Sequence, residues 1–228
     1  MLSVLCATAG LLGATMTMQT DATKATYFIF LNSGKNPPKA TEEEIGKYQV
    51  EHLGNFKRLF GEGKLLTAGP CGDPEKQKRG IVVLTVGDKA AVKDCFGPDP
   101  YVQKGFLDVE ALRLNVEYGK LNTTAIDPEG IEENRIVVFT AGAVNADSTS
   151  SRAAKLAHLD YVHKGSAKAG LAFYASLSDS ANIRAVAFFK GKNDKDILAW
   201  LKKDPLVKNG SLKATKMPQW LSKGVLGP

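Results

Sequence analysis

The 228-residue sequence is poor in the residues that usually announce chemistry, with three cysteines and three histidines. No CxxC pair occurs, which argues against a thiol-redox site or a cysteine-based zinc site. No Walker loop, HExxH or GxSxG is present, so phosphate-loop, zincin and nucleophile-elbow chemistries find no support. His52, His158 and His163 are not spaced to converge with carboxylates on a metal, and no metal is expected. Long apolar runs are also missing: the stretch from Leu2 to Leu12 is too short for a membrane-spanning helix. The net charge of +6 comes from scattered lysines without the basic clusters and interleaved aromatics of a nucleic-acid surface, so no nucleic-acid partner is expected. What remains, 43% hydrophobic and 24% charged, is an ordinary globular composition.

Charge is absent altogether before Asp21. This N-terminus has the size of the apolar region of a secretory signal followed by small residues, with candidate cuts after Ala14, Ala22 or Ala25. It lacks the usual Lys or Arg near Met1. Residues 1–25 are read as a leader and the protein as exported to the periplasm or beyond, with a cytoplasmic location as the alternative. Cys6 follows Leu5, where a lipoprotein signal wants a small residue, so lipidation is not expected. Removal of the leader leaves Cys71 and Cys95, which can form one disulfide in an oxidising compartment.

What is present is a repeated order of landmarks. "DPYVQKGFL" from Asp99 aligns without a gap on "DPLVKNGSL" from Asp204, 105 residues later. "YFIFLNSG" at 27–34 pairs with "RIVVFTAG" at 135–142, "GIVVLTVG" at 80–87 with "RAVAFFKG" at 184–191, and His52-Leu53 with His158-Leu159. Each half then reads alike. In the first, an apolar strand at Tyr27–Asn32 precedes a helix opened by Thr41 and Glu44 as a capping box. Ile45, Tyr48, His52, Phe56 and Leu59 form one face of that helix, and Gly61 and Gly63 close it. Strands at Lys64–Gly69 and Gly80–Val86 follow across a polar loop. A second helix spans Asp88–Phe96, the Asp99-Pro100 step ends it and opens a turn, and a last strand lies within Phe106–Tyr118.

The second half gives a strand at 135–140, a helix from Ser151 to Ala169, strands at Leu171–Leu177 and Arg184–Lys190, a helix at Asp194–Lys202 and a strand near Leu212–Lys216. The order β-α-β-β-α-β is ferredoxin-like, an α+β plan with two helices on one side of a sheet. The expected organisation is one unit over 26–120, a linker over 121–134 without periodicity, and a second unit over 135–228. Each unit leaves one sheet face bare. Two such faces can be buried against each other in an αβ barrel built within one chain, so that a monomer does what a homodimer normally does.

His52 lies on the apolar face of the first helix, a position that by itself suits a structural histidine, and Asp99 alone suits a turn. Together they suit a His–Asp pair in which the carboxylate orients the imidazole and leaves one ring nitrogen as base or acid near neutral pH. Cys71, after Gly69-Pro70, is a weaker nucleophile candidate with no adjacent base, and reads as a small loop residue.

"EHLGNFKRLFGEGKLLTAGP", then "GIVVLTV", then "DPYVQKGF" resembles the YCII-related (YciI-like) family over about residues 27–118, and more weakly over 135–220. The resemblance implies a ferredoxin-like fold, dimeric αβ barrels and an active site at His52 and Asp99. It also implies elimination or isomerisation of small cyclic organic compounds, as in a dehydrochlorinase-like member, without metal or organic cofactor. The first half keeps the pattern better: Ala68-Gly69-Pro70 becomes "FYASLSDS" in the second, and Tyr101 becomes Leu206. His158 and Asp204 survive as a possible second site, with His163 a competitor on another helix face.

Two functions follow. In the first, His52 moves a proton, Asp99 orients it, Tyr101, Gly69 and Pro70 bind a small-molecule substrate, and the backbone near Gly69 stabilises an anion, giving a cofactor-independent lyase or isomerase. In the second, the chain is a non-catalytic ligand-binding or structural pseudo-dimer, as monomer or homodimer.

Overall fold

The structure is a computed structural model that describes residues 24–123, 126–144, 149–165 and 167–227. The expected leader, apart from its last two residues, lies outside the described residues, and Ala25 is the first residue of a strand. Strand β1 (Ala25–Ser33) leads to helix α1 (Glu42–Gly61), strands β2 (Leu65–Pro70) and β3 (Lys78–Val86), helices α2 (Lys89–Phe96) and α3 (Pro100–Gln103), and strand β4 (Leu107–Gly119). The same order then recurs as β5 (Asp127–Ala141), α4 (Thr149–His163), β6 (Leu171–Ser178), β7 (Ile183–Phe189), α5 (Asp194–Lys203), α6 (Pro205–Lys208) and β8 (Leu212–Lys223). No helix among the described residues is long and apolar enough to cross a membrane.

All eight strands form one antiparallel sheet in the order β2-β3-β1-β4-β6-β7-β5-β8. The first ferredoxin-like unit supplies the first four strands and the second unit the last four. They join where Arg113–Gly119 of β4 pairs with Ser178–Phe173 of β6. The two outer strands then meet: Cys71 and Gln219 form an antiparallel bridge, and the Gly72 N–H donates to the Pro218 carbonyl at 2.8 Å. The two edges thus meet within one chain, and the sheet closes into a barrel.

Strand alternation divides the apolar residues between the two faces. Phe28 and Phe30 of β1 point into the barrel with Ile81, Val83, Ile136, Val138, Val186 and Phe188, all buried in a core shared by both units. Tyr27, Ile29 and Leu31 point outward under the first unit's helices with Leu59, Val92 and Phe96. Val137, Phe139, Ala187 and Phe189 do the same under α4 and α5. The expected burial of the two bare sheet faces against each other is therefore the architecture found.

Local signals act largely as read. Thr41 accepts the Glu44 N–H at 3.2 Å, and the Glu44 carboxylate accepts the Thr41 N–H at 2.8 Å. That backbone donor, with the Thr41 hydroxyl at 3.1 Å, holds the Glu44 carboxyl below the usual carboxylate range. Three expectations need correction. Asp99-Pro100 does not end α2, which closes at Gly97; Asp99 caps α3 and Pro100 is its first residue, so the step starts a helix. Residues 127–134, expected as linker, are the first part of β5. They pair with β8 alone, so they carry no two-sided apolar pattern that a sequence could display. The helix expected to reach Ala169 ends at His163, and Gly165 takes a positive φ of 62°.

The cysteine pairing is also corrected. Cys71 and Cys95 are free thiols on opposite faces of the sheet, one packed against the barrel interior and the other on the buried side of α2.

The seam is tight at Gly69, where an added Cβ would lie 1.8 Å from the Trp220 carbonyl oxygen. Gly69→Ala is expected to destabilise the protein by about 1–3 kcal/mol in urea unfolding, as overpacking does. Gly54→Ala on the exposed side of α1, whose Cβ would meet nothing within 4 Å, is expected to stabilise by about 0.5–1 kcal/mol.

Candidate active site

The site of the first unit is assembled by two anchors. On α1, His52, Asn55 and Leu59 are the buried residues, three and four positions apart. Asn55 Nδ2 and Arg58 Nη2 both donate to the Cys95 carbonyl, at 3.0 and 3.1 Å, and tie α1 to the last turn of α2. Asp99 follows four residues later. Its Oδ1 accepts the Tyr101 N–H at 3.0 Å as the cap of α3, and its Oδ2 lies 2.6 Å from His52 Nδ1. The carboxylate is wholly buried.

With Nδ1–H donating to Asp99, the network assigns the acceptor role to Nε2. Among the described residues no hydrogen-bond partner meets His52 Nε2. The ring is held between aromatics, with Phe56 at 4.5 Å and Tyr101 at 5.3 Å between centroids. The Tyr101 hydroxyl donates to the Ile45 carbonyl or to Gln49 Oε1, each at 3.2 Å, and burial pushes its pKa up. A cleft of about 730 Å³ opens beside these groups; His52, Tyr101, Gly69, Pro70 and Ala68 all line it. The residues singled out in the first half of the sequence thus meet at one place.

The second unit repeats the frame with a different result. The Tyr161 hydroxyl donates to the Trp200 carbonyl at 3.0 Å, tying α4 to α5. Asp204 caps α6 through the Leu206 N–H at 2.9 Å and meets His158 Nδ1 at 2.8 Å. Here the other ring nitrogen is taken: the Tyr174 hydroxyl stands 2.8 Å from His158 Nε2. Burial pushes the Tyr174 hydroxyl far above its ordinary pKa, so it stays a donor. His158 is 2% exposed against 9% for His52.

Strand registers show which residue makes the difference. In the first unit the row across β1, β3 and β2 reads Ile29, Val82, Ala68; across β5, β7 and β6 it reads Val137, Ala187, Tyr174. Tyr174 occupies the row position of Ala68. A cleft of about 710 Å³ still borders His158, lined also by Glu117, Lys155 and Arg184.

His163, the competing histidine, is exposed at the end of α4. Burial pushes the Cys71 thiol up to about 12, which favours the protonated thiol over the nucleophilic thiolate near neutral pH. Sequence reading missed Tyr174, because a tyrosine in an apolar strand carries no mark of what its hydroxyl meets.

No protein-family model matches the chain, and no curated protein matches it. Solved structures do resemble it. A mutant chlorite dismutase from Candidatus Nitrospira defluvii, solved in complex with cyanide, aligns with a TM-score of 0.56 at 9% identity, over 89% of this chain and 92% of that one. A heme-binding protein from Thermus thermophilus aligns with a TM-score of 0.50 at 8% identity, over 87% of this chain and 91% of that one. The fold is that of the dimeric α+β barrel proteins, here with both units in one chain.

Tyr174→Phe leaves His158 Nε2 buried without its donor. The expected cost is about 1–3 kcal/mol in denaturant unfolding, the penalty for a buried unsatisfied polar group.

Proposed function

We propose that the first unit carries a proton-transfer enzyme site of the lyase or isomerase class acting on a small organic molecule, with His52 as base and Asp99 as its positioning residue. The observation that carries this reading is the contrast between two like-built histidines. One has its second nitrogen quenched by Tyr174, and the other presents Nε2 at a cleft. The resemblance of "EHLGNFKRLFGEGKLLTAGP" and "DPYVQKGF" to the YCII-related family supports the same pair.

In this mechanism Nε2 takes a proton from a substrate carbon, and the imidazolium formed is stabilised by the Asp99 carboxylate. The electron pair left on carbon either expels a leaving group from the neighbouring carbon, forming a double bond, or accepts the proton back at a second carbon. Where a carbonyl adjoins the deprotonated carbon, the pair delocalises onto its oxygen, and the backbone near Gly69 is the donor proposed for that oxyanion. Tyr101 closes the aromatic wall that excludes water from the ring. A periplasmic or secreted setting is proposed with it, from the uncharged N-terminus.

A second reading rests on the same nitrogen. A histidine with Nδ1–H on a carboxylate and Nε2 free is the arrangement of a metal-ligating imidazole, and the chlorite dismutase and heme-binding protein share the fold. The residues fit such a group to the extent that His52 would hold its metal through Nε2, with Asp99 fixing the ring from behind. The group when bound supplies redox chemistry at iron. In that case the chain's own contribution is to fix the ring and exclude solvent.

A screen of small cyclic carboxylic and halogenated compounds separates the readings. His52→Gln is expected to lower turnover of the identified substrate by about 10²–10⁴-fold. Asp99→Asn, which keeps a capping side chain for α3, lowers it in the same direction. Ala68→Tyr, which copies the second unit's arrangement, is expected to fold and to lose turnover. Unchanged turnover in His52→Gln sinks the proton-transfer reading. A haem absorbance band in wild type titrated with hemin, lost in His52→Gln, establishes the second reading instead.

A further inference from the structure

The charge of the His52 cleft is one-sided. Among the described residues that line it, Arg79 is the only lysine, arginine, aspartate or glutamate, so no carboxylate side chain is exposed there. Asp99 lies behind the imidazole, with no accessible surface. The rest of the lining is apolar or neutral, from Ile45, Phe56 and Phe106 to Gln49.

Strict alternation along β3 would not put Arg79 in this cleft. Ile81 and Val83 point into the barrel, and Arg79 stands two residues before Ile81. A β-bulge reverses it. Leu31 of β1 pairs with Gly80, but Asn32 pairs with Lys78, so Arg79 and Gly80 together oppose one residue that faces the helices. Lys78 then returns to the barrel side, where its ammonium sits 4.6 Å above the Phe30 ring. The second unit has the same bulge: Phe139 pairs with Ala185 and Thr140 with Ile183, leaving Arg184 as the extra residue. There Ile183 and Val186, three apart, both lie in the barrel core, a spacing that only a bulge permits. In both units the bulge turns an arginine toward the cleft beside the histidine.

The two arginines are not in the same company. Arg184 shares its cleft with Glu117 and Lys155, and its Nη1 leans on the Ser180 carbonyl at 3.4 Å. Arg79 has no ion-pair or side-chain hydrogen-bond partner among the described residues. A guanidinium that is exposed, unpaired and aimed by a bulge into a largely apolar cleft is complementary to one planar anion on an apolar body.

We infer that Arg79 is the anion-recognition residue of this cleft, and that its ligand is a small apolar carboxylate whose acid group docks on Arg79 while its carbon skeleton lies toward His52 Nε2. The inference rests on the reading of the His52 cleft as the substrate site and names the substrate class for it. Arg79 is a binding residue and takes no part in moving the proton.

The test uses calorimetric titration of the full chain with benzoate and cyclohexanecarboxylate, and with the primary amide of each as a neutral counterpart of the same shape. The expected result is that the carboxylates bind at least about tenfold tighter than the amides, as a charge-assisted contact gives. Arg79→Gln abolishes that preference, and Arg184→Gln leaves it unchanged. Equal binding of acid and amide by wild type overturns the inference, as does a preference that survives in Arg79→Gln. Failure of any carboxylate to bind wild type overturns it too. Binding and turnover separate the two levels. If carboxylates bind through Arg79 while His52→Gln keeps full turnover, the proton-transfer reading fails alone. If His52→Gln loses turnover while no charge preference exists, the Arg79 inference fails alone.

Discussion

The narrow seam at which Gly69 lies against the Trp220 carbonyl lets one eight-stranded sheet close on itself. An open sheet of this size would leave one apolar face and two unpaired edges to be covered by something else. Closure buries the Phe28, Phe30, Val138 and Phe188 face inside the barrel and leaves only the outer face to the helices. Because α1 and α4 must then pack on the outside, each histidine-bearing helix lies over the sheet of its own unit. The carboxylate that caps the next short helix meets it there. Each His–Asp contact is thus made within one unit, between its long helix and the cap of its short one.

Within this shared frame the surroundings of the two histidines differ at two positions that bear on the ring. His52 and His158, Asp99 and Asp204, and Arg79 and Arg184 occupy matching places by strand register and by helix anchor. Ala68 against Tyr174 decides whether the second ring nitrogen is available, because a tyrosine at that row position reaches Nε2 and an alanine cannot. Tyr101 against Leu206 decides whether an aromatic wall with a hydroxyl anchor stands beside the ring. One frame thus holds a histidine that is a structural hydrogen-bond centre and another that presents a basic nitrogen to a cleft.

Much of the fold was legible in the chain because it follows from local periods. The apolar runs at Tyr27 and Arg135, the Thr41–Glu44 cap and the Asp88 start of α2 all act within a few residues of themselves. The failures have equally local causes. Asp99-Pro100 carries the signature of a helix stop and of a helix start, and only the turn at Gly97 decides between them. The first part of β5 has a single neighbouring strand, so burial imposed no pattern on it. Cys71 and Cys95 suggested a pair by count alone; the sheet puts one on each side.

The sequence by itself determined the element order, the capped helices and the presence of a histidine and an aspartate at matching positions in both halves, since each depends on residues close along the chain. Tyr101 and Ala68-Gly69-Pro70 likewise stand in the first half alone. The tertiary structure alone decided where the sheet closes, that Tyr174 occupies the nitrogen that Ala68 leaves free, and that bulges turn Arg79 and Arg184 outward. Those features depend on cross-strand rows and on the register between strands far apart in sequence, and no period along the chain records them.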